Sequence, residues 1–286
     1  MIIVGVDGST TARAAVEWAA NDALRMKEPL RIVHAVDRSP YQIGKFPNAA
    51  LPDPLLREGQ RILREGLALA NERQPDVEVT TRDIEGAPAE VLREQAKEAS
   101  EIVLGSRGLG GFAGALLGSV STHVAGHVDC PVVVVRGDHQ PVHGEIVVGV
   151  DDSPACEPAL AYAFRQAKLR GAVLRVVHAW QPVHVFASGV PYDMDDVRIA
   201  QHQIVQDRVG AFAKEYPQVT VVEEVQPAQP VEALTDASAR ADLLVVGSHG
   251  HGTVGAMLLG SVSRGVLHHA HCTVAVVRAQ DAPTPA

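Results

Sequence analysis

The stretch IIVGVDGST, residues Ile2–Thr10, returns later in the chain as IVVGVDDSP, residues Ile146–Pro154. A second segment, LRIVHAV at Leu30–Val36, returns in the same order as LRVVHAW at Leu174–Trp180. Such self-similarity is the sign of a repeat architecture. The period here is as long as a whole domain and far longer than a solenoid unit. The chain is therefore a tandem repeat of one domain type.

The repeat divides the 286 residues into two similar halves, each of ordinary domain size. We expect a first domain over residues 1–136 and a second over residues 145–279. Between them, GDHQPVHG at 137–144 is rich in Gly, Pro and polar residues, which predicts a linker. Residues 280–286 form a predicted tail.

Within each copy, short β-branched apolar runs alternate with longer amphipathic stretches, which predicts strand–helix–strand units. The predicted strands of the first copy are Ile2–Val6, Leu30–Val36, Val77–Asp83, Ile102–Gly105 and Val132–Val135. The predicted helices are Thr11–Met26, Pro54–Arg73, Pro88–Glu98 and Ser119–His127. Continuously apolar strands indicate a parallel sheet covered on both faces. Right-handed crossovers then give two tandem doubly wound α/β domains.

Composition and charge exclude several classes of protein. Apolar residues make up 46% and charged residues 21%, which is the balance of a folded globular protein. The formal net charge of −9 is shared about evenly between the halves, and no basic cluster is present, so neither nucleic acid nor an anionic membrane is an expected partner. Without a membrane-length apolar run, a signal peptide or paired CxxC cysteines, we expect a cytoplasmic location.

A longer repeated stretch points to a ligand. GSRGLGGFAGALLGSVS, residues Gly105–Ser121, returns as GSHGHGTVGAMLLGSVS, residues Gly247–Ser263. Each follows a predicted strand and leads into a predicted helix, at the sheet edge where doubly wound folds bind ligands. Glycine at Gly105 and Gly108 serves either a close backbone approach or a positive φ angle. Serines and free N–H groups at the helix start favour an anion, and a phosphate chain fits.

A glycine-rich turn could alternatively serve turn geometry alone, but the whole spacing G-x2-G-x9-G-[ST] occurs in both copies. It is neither a P-loop nor a dinucleotide fingerprint. This pattern, after an opening strand that ends in Asp, resembles the ATP-binding class of universal stress proteins, and in particular its tandem-domain members. The resemblance covers essentially the whole chain. It implies a five-stranded sheet of order 3-2-1-4-5 in each half and ATP as ligand. Mg²⁺ can accompany the triphosphate, since phosphates and water can hold it. We also expect a homodimer of tandem chains and an unidentified protein partner.

The resemblance also implies the residues of the two sites. Those of the first domain are Gly5, Asp7, Ala35, Gly105, Arg107, Gly108, Gly118, Ser119, Val120 and Ser121. Those of the second domain are Gly149, Asp151, Ala179, Gly247, His249, Gly250, Gly260, Ser261, Val262 and Ser263. The aspartates would contact the adenosine, the alanines would offer backbone groups to the adenine edge, and the glycine-loop residues would cradle the phosphates.

Some of these residues have simpler alternative roles. Asp7 could start a turn or cap the helix that opens near Thr11. Ser119 and Ser261 could be ordinary N-caps, although an N-cap and a phosphate donor occupy the same place, so both roles could hold together.

The copies differ at two positions of interest. Arg107 of the first loop becomes His249, so a permanent cation becomes a titratable imidazole. If this residue faces the phosphates, the second site binds ATP more weakly near neutral pH and gains affinity toward pH 6. Gly86 becomes Ala228, which indicates a turn requirement that is relaxed in the second copy.

Metal binding and catalysis are both weakly indicated. Five histidines lie near the end of the second copy: His249, His251, His268, His269 and His271. No carboxylate or cysteine completes a known metal-ligand spacing with them, so we expect no metal ion held by the protein. Neither glycine stretch contains an acidic residue that could hold a metal for phosphoryl transfer. We therefore expect no catalytic residues and an ATP-binding regulatory module, with slow ATP hydrolysis by the same loops as the alternative.

Overall fold

The computed structural model describes residues 1–38, 53–109, 117–137, 142–181, 194–250 and 259–279. The chain forms two compact units, Met1–Gln140 and Pro141–Ala286. Of the predicted linker, residues 138–141 lie outside the described part, as does the predicted tail at 280–286.

The first unit alternates strands and helices throughout. Its elements are β1 (Ile2–Val6), α1 (Thr10–Met26), β2 (Leu30–Val36), α2 (Pro54–Arg73), β3 (Val79–Glu85), α3 (Pro88–Ala96), β4 (Glu101–Gly105), α4 (Ser119–His127) and β5 (Val132–Val135). The five strands are parallel in the order β3-β2-β1-β4-β5. Helix α1 packs against α2, and α3 packs against α4. The predicted doubly wound order is confirmed.

The second unit repeats this plan. Its elements are β6 (Glu145–Gly149), a short 3-10 turn (Pro154–Cys156), α5 (Glu157–Arg170), β7 (Val173–Trp180), α6 (Met194–Glu215), β8 (Val221–Pro227), α7 (Pro230–Ser238), β9 (Leu243–Gly247), α8 (Ser261–His269) and β10 (Thr273–Val277). The parallel order β8-β7-β6-β9-β10 is again 3-2-1-4-5 when counted within the unit.

Burial follows the expected pattern for a parallel sheet. Every residue of β5 and of β10 is buried, and β1, β4, β6 and β9 are buried almost throughout. No residue of the outer strands β3 and β8 is buried, and most of β3 is exposed and polar. Strand β3 begins two residues later than predicted, at Val79, because Val77 is buried in the preceding turn and pairing with β2 starts only at Val79.

The turn before α3 differs between the copies as the sequence indicates. Gly86 has a φ angle of 149°, which disfavours residues with a side chain. Ala228 is not among the described residues with positive φ, and its N–H bonds to the Gln226 carbonyl. The glycine requirement is therefore relaxed in the second unit.

No helix in the described ranges combines the length and apolar character needed to cross a bilayer.

Candidate functional site

Each unit contains a cavity at the carboxyl ends of its strands. The first has a volume of about 300 Å³ and the second about 660 Å³, both within the usual range of ligand pockets. All ten residues predicted for each site line its cavity. They are Gly5, Asp7, Ala35, Gly105, Arg107, Gly108, Gly118, Ser119, Val120 and Ser121 in the first, and Gly149, Asp151, Ala179, Gly247, His249, Gly250, Gly260, Ser261, Val262 and Ser263 in the second.

Sequence reasoning missed the apolar walls of both cavities. In the first cavity they are Val6, Ala12, Val33, Pro88, Leu92, Leu104 and Leu117. Six of the seven have counterparts in the lining of the second cavity, where Asp152, His178, Trp180 and Gln201 are additional polar and aromatic lining residues. Apolar residues at strand ends are indistinguishable in sequence from core residues, which is why no signal singled them out.

The turn after β1 positions the Asp7 carboxylate. Its Oδ1 accepts a hydrogen bond from the Ser9 N–H at 3.0 Å, and its Oδ2 accepts one from the Leu109 N–H at 2.9 Å. Helix α1 is capped by Ser9, whose hydroxyl oxygen accepts from the Ala12 N–H at 3.1 Å. Asp7 therefore shapes the turn and holds the glycine loop, while Ser9 caps the helix.

Two hydroxyl groups near the start of α1 contact the backbone of the glycine loop that follows β4. The Thr11 hydroxyl donates to the Arg107 carbonyl, and the Ser9 hydroxyl lies 3.4 Å from the same oxygen. Together with the bond from Leu109 to Asp7, these contacts tie the loop after β4 to the turn after β1. The first site is thus held in shape by side chains from two separate segments.

The loop glycines are required by close approach and not by a positive φ angle. A Cβ atom on Gly108 would lie 2.4 Å from Asp7 Oδ2, and one on Gly105 would lie 2.7 Å from the backbone carbonyl carbon of Thr11. In the second unit, a Cβ atom on Gly250 would lie 2.5 Å from Asp151 Oδ2. Neither loop glycine of the first unit is among the described residues with positive φ.

The N-terminus of α4 faces the first cavity without a side-chain cap. Gly118 is the N-cap residue, and its own N–H donates to the Ser106 carbonyl at 2.7 Å. The Ser121 hydroxyl is buried and donates to the Gly105 carbonyl at 2.7 Å, so it ties the helix to the strand end. Ser119 is exposed. The first N–H groups of a helix have no intrahelical acceptor, so this end presents free donors and positive potential to the cavity.

The N-terminus of α8 is built in the same way. Gly260 is an N-cap without a side-chain hydrogen bond, and its N–H donates to the Ser248 carbonyl at 2.8 Å. The buried Ser263 hydroxyl donates to that same carbonyl at 2.9 Å. Ser261, like Ser119, is exposed. Residues 110–116 and 251–258 of the two loops lie outside the described ranges.

The turn after β6 departs from its counterpart. Asp151 Oδ1 accepts from both the N–H and the hydroxyl of Ser153, at 3.1 and 2.7 Å. Ala155 stands in place of Thr11, so the hydroxyl that holds the first loop is missing. Cys156, in place of Ala12, lines the second cavity, and burial raises the pKa of its thiol.

The cationic position also differs. Arg107 is exposed and lines the first cavity. His249 is half-buried and lines the second, with its Nδ1 3.0 Å from the Ser248 hydroxyl oxygen. Within the described part of each glycine loop, the basic side chain that lines the cavity is therefore a guanidinium in the first unit and an imidazole in the second.

No group of three or more His, Cys, Asp or Glu side chains within the described ranges is arranged to hold a metal ion. Of the histidines near the end of the second unit, His251 lies outside those ranges.

Comparison with known proteins identifies the family. The model of the universal stress protein family matches residues 1–136 and again residues 144–278. Universal stress protein Rv2005c of Mycobacterium tuberculosis is 37% identical over 289 residues, which cover 97% of this chain and 96% of the relative. Universal stress protein Rv2623 of the same species is 35% identical over 288 residues, with 97% and 96% covered.

A solved structure supports the fold at greater distance. The crystal structure of a universal stress protein from Archaeoglobus fulgidus covers 98% of this chain and 97% of its own, with 22% sequence identity and a TM-score of 0.71. Two matches of one family model in succession, together with relatives aligned over nearly their full length, show that this chain belongs to the universal stress protein family and carries its domain twice.

Proposed function

We propose that the protein binds ATP in both cavities and acts as a nucleotide-occupied regulatory module in a stress response. The observation that carries this proposal is the uncapped helix N-terminus that faces each cavity beside a glycine loop. Free N–H donors, the positive end of the helix dipole and an exposed serine hydroxyl meet there, which is the construction that binds phosphate groups.

The loop cation adds to this end of the site. Arg107 in the first cavity and His249 in the second lie on the same loops as the glycines. A guanidinium or a protonated imidazole strengthens hydrogen bonds to phosphate oxygens. Mg²⁺ would accompany the triphosphate, held by phosphate oxygens and water with little help from protein ligands.

The other end of each cavity suits a nucleoside. Asp7 and Asp151 follow the first strand of each unit and line the cavity. A carboxylate there can accept hydrogen bonds from ribose hydroxyls. Ala35 and Ala179 lie on the neighbouring strands, and with the apolar walls they leave room for a flat base and backbone groups to meet its edge. In this arrangement the adenosine crosses the strand ends and the phosphates reach the helix.

The described residues provide few acidic groups near the helix N-termini, and this favours binding of ATP over its hydrolysis. The first turns of α4 and α8 contain no Asp or Glu. Asp7 is the one carboxylate in the described lining of the first cavity, and both of its oxygens accept backbone hydrogen bonds. Efficient phosphoryl transfer needs a metal-holding carboxylate and a group that positions the nucleophile near the γ-phosphate. The site is therefore proposed as a binding module and not as an enzyme.

The test is to denature the purified protein, without added nucleotide, and to identify and count by chromatography what it releases. We expect adenine nucleotide, and about two ATP bound per chain once Mg²⁺ and ATP are added. Release of no nucleotide, together with no calorimetric binding on addition of ATP and Mg²⁺, contradicts the proposal. A separate measurement of molecular mass with and without ATP tests whether the chain forms a homodimer. The same samples can be used to search for a protein partner.

A further inference from the structure

His34 and His178 occupy equivalent positions in the two units but make different contacts. On β2, His34 Nδ1 lies 2.8 Å from Oδ1 of Asp83, its register partner on β3. Gly59 of α2 packs against this pair, since a Cβ atom there would lie 2.6 Å from the Asp83 carboxylate and 2.8 Å from His34 Nδ1. His34 thus points toward the outer strand, and it is absent from the described lining of the first cavity.

On β7 the matching histidine is directed into the cavity. The residue paired with His178 on β8 is Val225, so no carboxylate is available at that position. The His178 Nδ1 lies 2.9 Å from the Val150 carbonyl oxygen, and its Nε2 lies 2.7 Å from Gln201 Oε1. The imidazole is buried, with 5% of its residue surface exposed. His178, Val150 and Gln201 all line the second cavity.

The hydrogen bonds determine what Gln201 offers to a ligand. A carbonyl oxygen can only accept, so His178 Nδ1 carries a proton toward Val150. In a neutral imidazole Nε2 is then an acceptor. The structure places Gln201 Oε1 toward Nε2, but a half-turn of the amide exchanges its oxygen and its nitrogen. Beside a neutral ring only the NH₂ group can donate to Nε2, so we assign the NH₂ group to this position. Its carbonyl oxygen is left to meet the ligand.

Gln201 lies at the nucleoside end of the cavity. It contacts His178, which directly precedes Ala179, the residue expected at the adenine edge. Trp180 follows and also lines the cavity. The described lining of the first cavity contains no side-chain amide.

We propose, building on the ATP-binding function proposed above, that Gln201, positioned by His178, is the residue that selects the base in the second site. Its carbonyl oxygen accepts a hydrogen bond from the 6-amino group of adenine. A 6-oxo purine would bring a second acceptor to the same place and leave both oxygens without a donor. The second site therefore selects 6-aminopurine nucleotides through a side-chain amide that the described lining of the first cavity does not contain.

The test compares ATP with inosine triphosphate, which has a 6-oxo group in place of the 6-amino group. The protein carries Gly108→Ala to weaken the first site and Trp18→Phe, which leaves Trp180 as the single tryptophan and the fluorescence reporter of the second cavity. Titrations are made at pH 8, well above the usual pKa of histidine. We expect ATP to bind about tenfold more tightly than inosine triphosphate.

Gln201→Leu should bring the affinity ratio of the two nucleotides close to one. Gln201→Glu, which keeps an acceptor, should retain the preference for ATP. Gln203→Leu is the matched control on the same helix, because Gln203 is exposed and bonds to Asp207, and it should leave the ratio unchanged. The ratio is the informative quantity, since a general loosening of the fold weakens both nucleotides alike.

Two outcomes overturn this assignment while ATP binding stands: equal affinities in the parent protein, or a preference that survives Gln201→Leu. If neither nucleotide binds the parent protein and none is released on denaturation, the proposed function fails and this assignment fails with it.

Discussion

The two glycine loops have the same spacing but are held by different contacts. In the first unit, the Asp7 carboxylate and the Thr11 hydroxyl reach across to the loop backbone. In the second, the Asp151 carboxylate lies equally close to the loop at Gly250, but Ala155 has no hydroxyl to offer. What the loops share is the anchoring of the helix N-cap to the backbone before it. The repeated motif thus builds an uncapped helix N-terminus at each cavity, while the contacts made by residues outside the motif differ between the copies.

The largest expected loss of ATP affinity comes from adding a methyl group to the glycine that packs against the aspartate in either loop. Gly108→Ala places a methyl group where the Asp7 carboxylate lies, and Gly250→Ala does the same at Asp151. Because the carboxylate must leave its position beside the loop, we expect ATP affinity to fall roughly 10- to 100-fold at the altered site, as overpacking typically costs about 1–3 kcal/mol. Calorimetry should show that each variant binds about one ATP per chain in the range where the parent binds two.

Gly210→Ala is the control for these glycine variants. Gly210 lies in α6 with nothing within 4 Å of its would-be Cβ, and it is not among the described glycines with positive φ. Alanine there should leave ATP stoichiometry unchanged and raise the free energy of unfolding by about 0.5–1 kcal/mol. Retention of two tight sites in Gly108→Ala would show that Asp7 and the loop do not contact the nucleotide.

Replacing Arg107 by His, or His249 by Arg, should change ATP affinity by an intermediate factor. In the Gly250→Ala background, Arg107→His should weaken the first site about tenfold at pH 8, because an exposed guanidinium supplies less than the full strength of a charge-assisted bond. In the Gly108→Ala background, His249→Arg should strengthen the second site by a similar factor at that pH.

The pH dependence of ATP affinity tests whether His249 contacts the phosphates. Bound phosphate favours a protonated imidazole, so affinity at the His249 site should rise as pH falls from 8 toward 6, and it should become nearly independent of pH in His249→Arg. Isothermal titration at several pH values, in buffers of matched ionic strength, measures both trends. An unchanged affinity of the parent second site across this range would exclude contact between His249 and the phosphates.

Much of the fold followed from the sequence. Strands β1, β2 and β5 and helices α2 and α4 have the predicted bounds, because an abrupt change from apolar to polar residues, a Pro or a Gly marks their ends. Strand β3 was predicted two residues too early. At the sheet edge its polar, exposed residues carry no periodicity, so only pairing with β2 fixes where it starts.

The sequence predicted cavity-lining residues where the two copies agree and also where they differ, at Arg107 and His249. The repeated glycines, aspartates and serines all line the cavities. The roles of Thr11 and Gln201 could not be read from sequence, because each depends on a contact between segments far apart in the chain. The same holds for the choice between close approach and positive φ at Gly108, which depends on where Asp7 lies.

The smallest expected effect tests the contact that most clearly separates the two loops. Thr11→Val keeps the shape of the side chain but removes the hydroxyl that donates to the Arg107 carbonyl. A single neutral hydrogen bond contributes about 0.5–1.5 kcal/mol, so the first site should lose ATP affinity about threefold while the second, which already has Ala155, stays unchanged. Thr80→Val on the exposed outer strand is the control. Equal losses at both sites would mean that the change acts through overall stability and not through the loop.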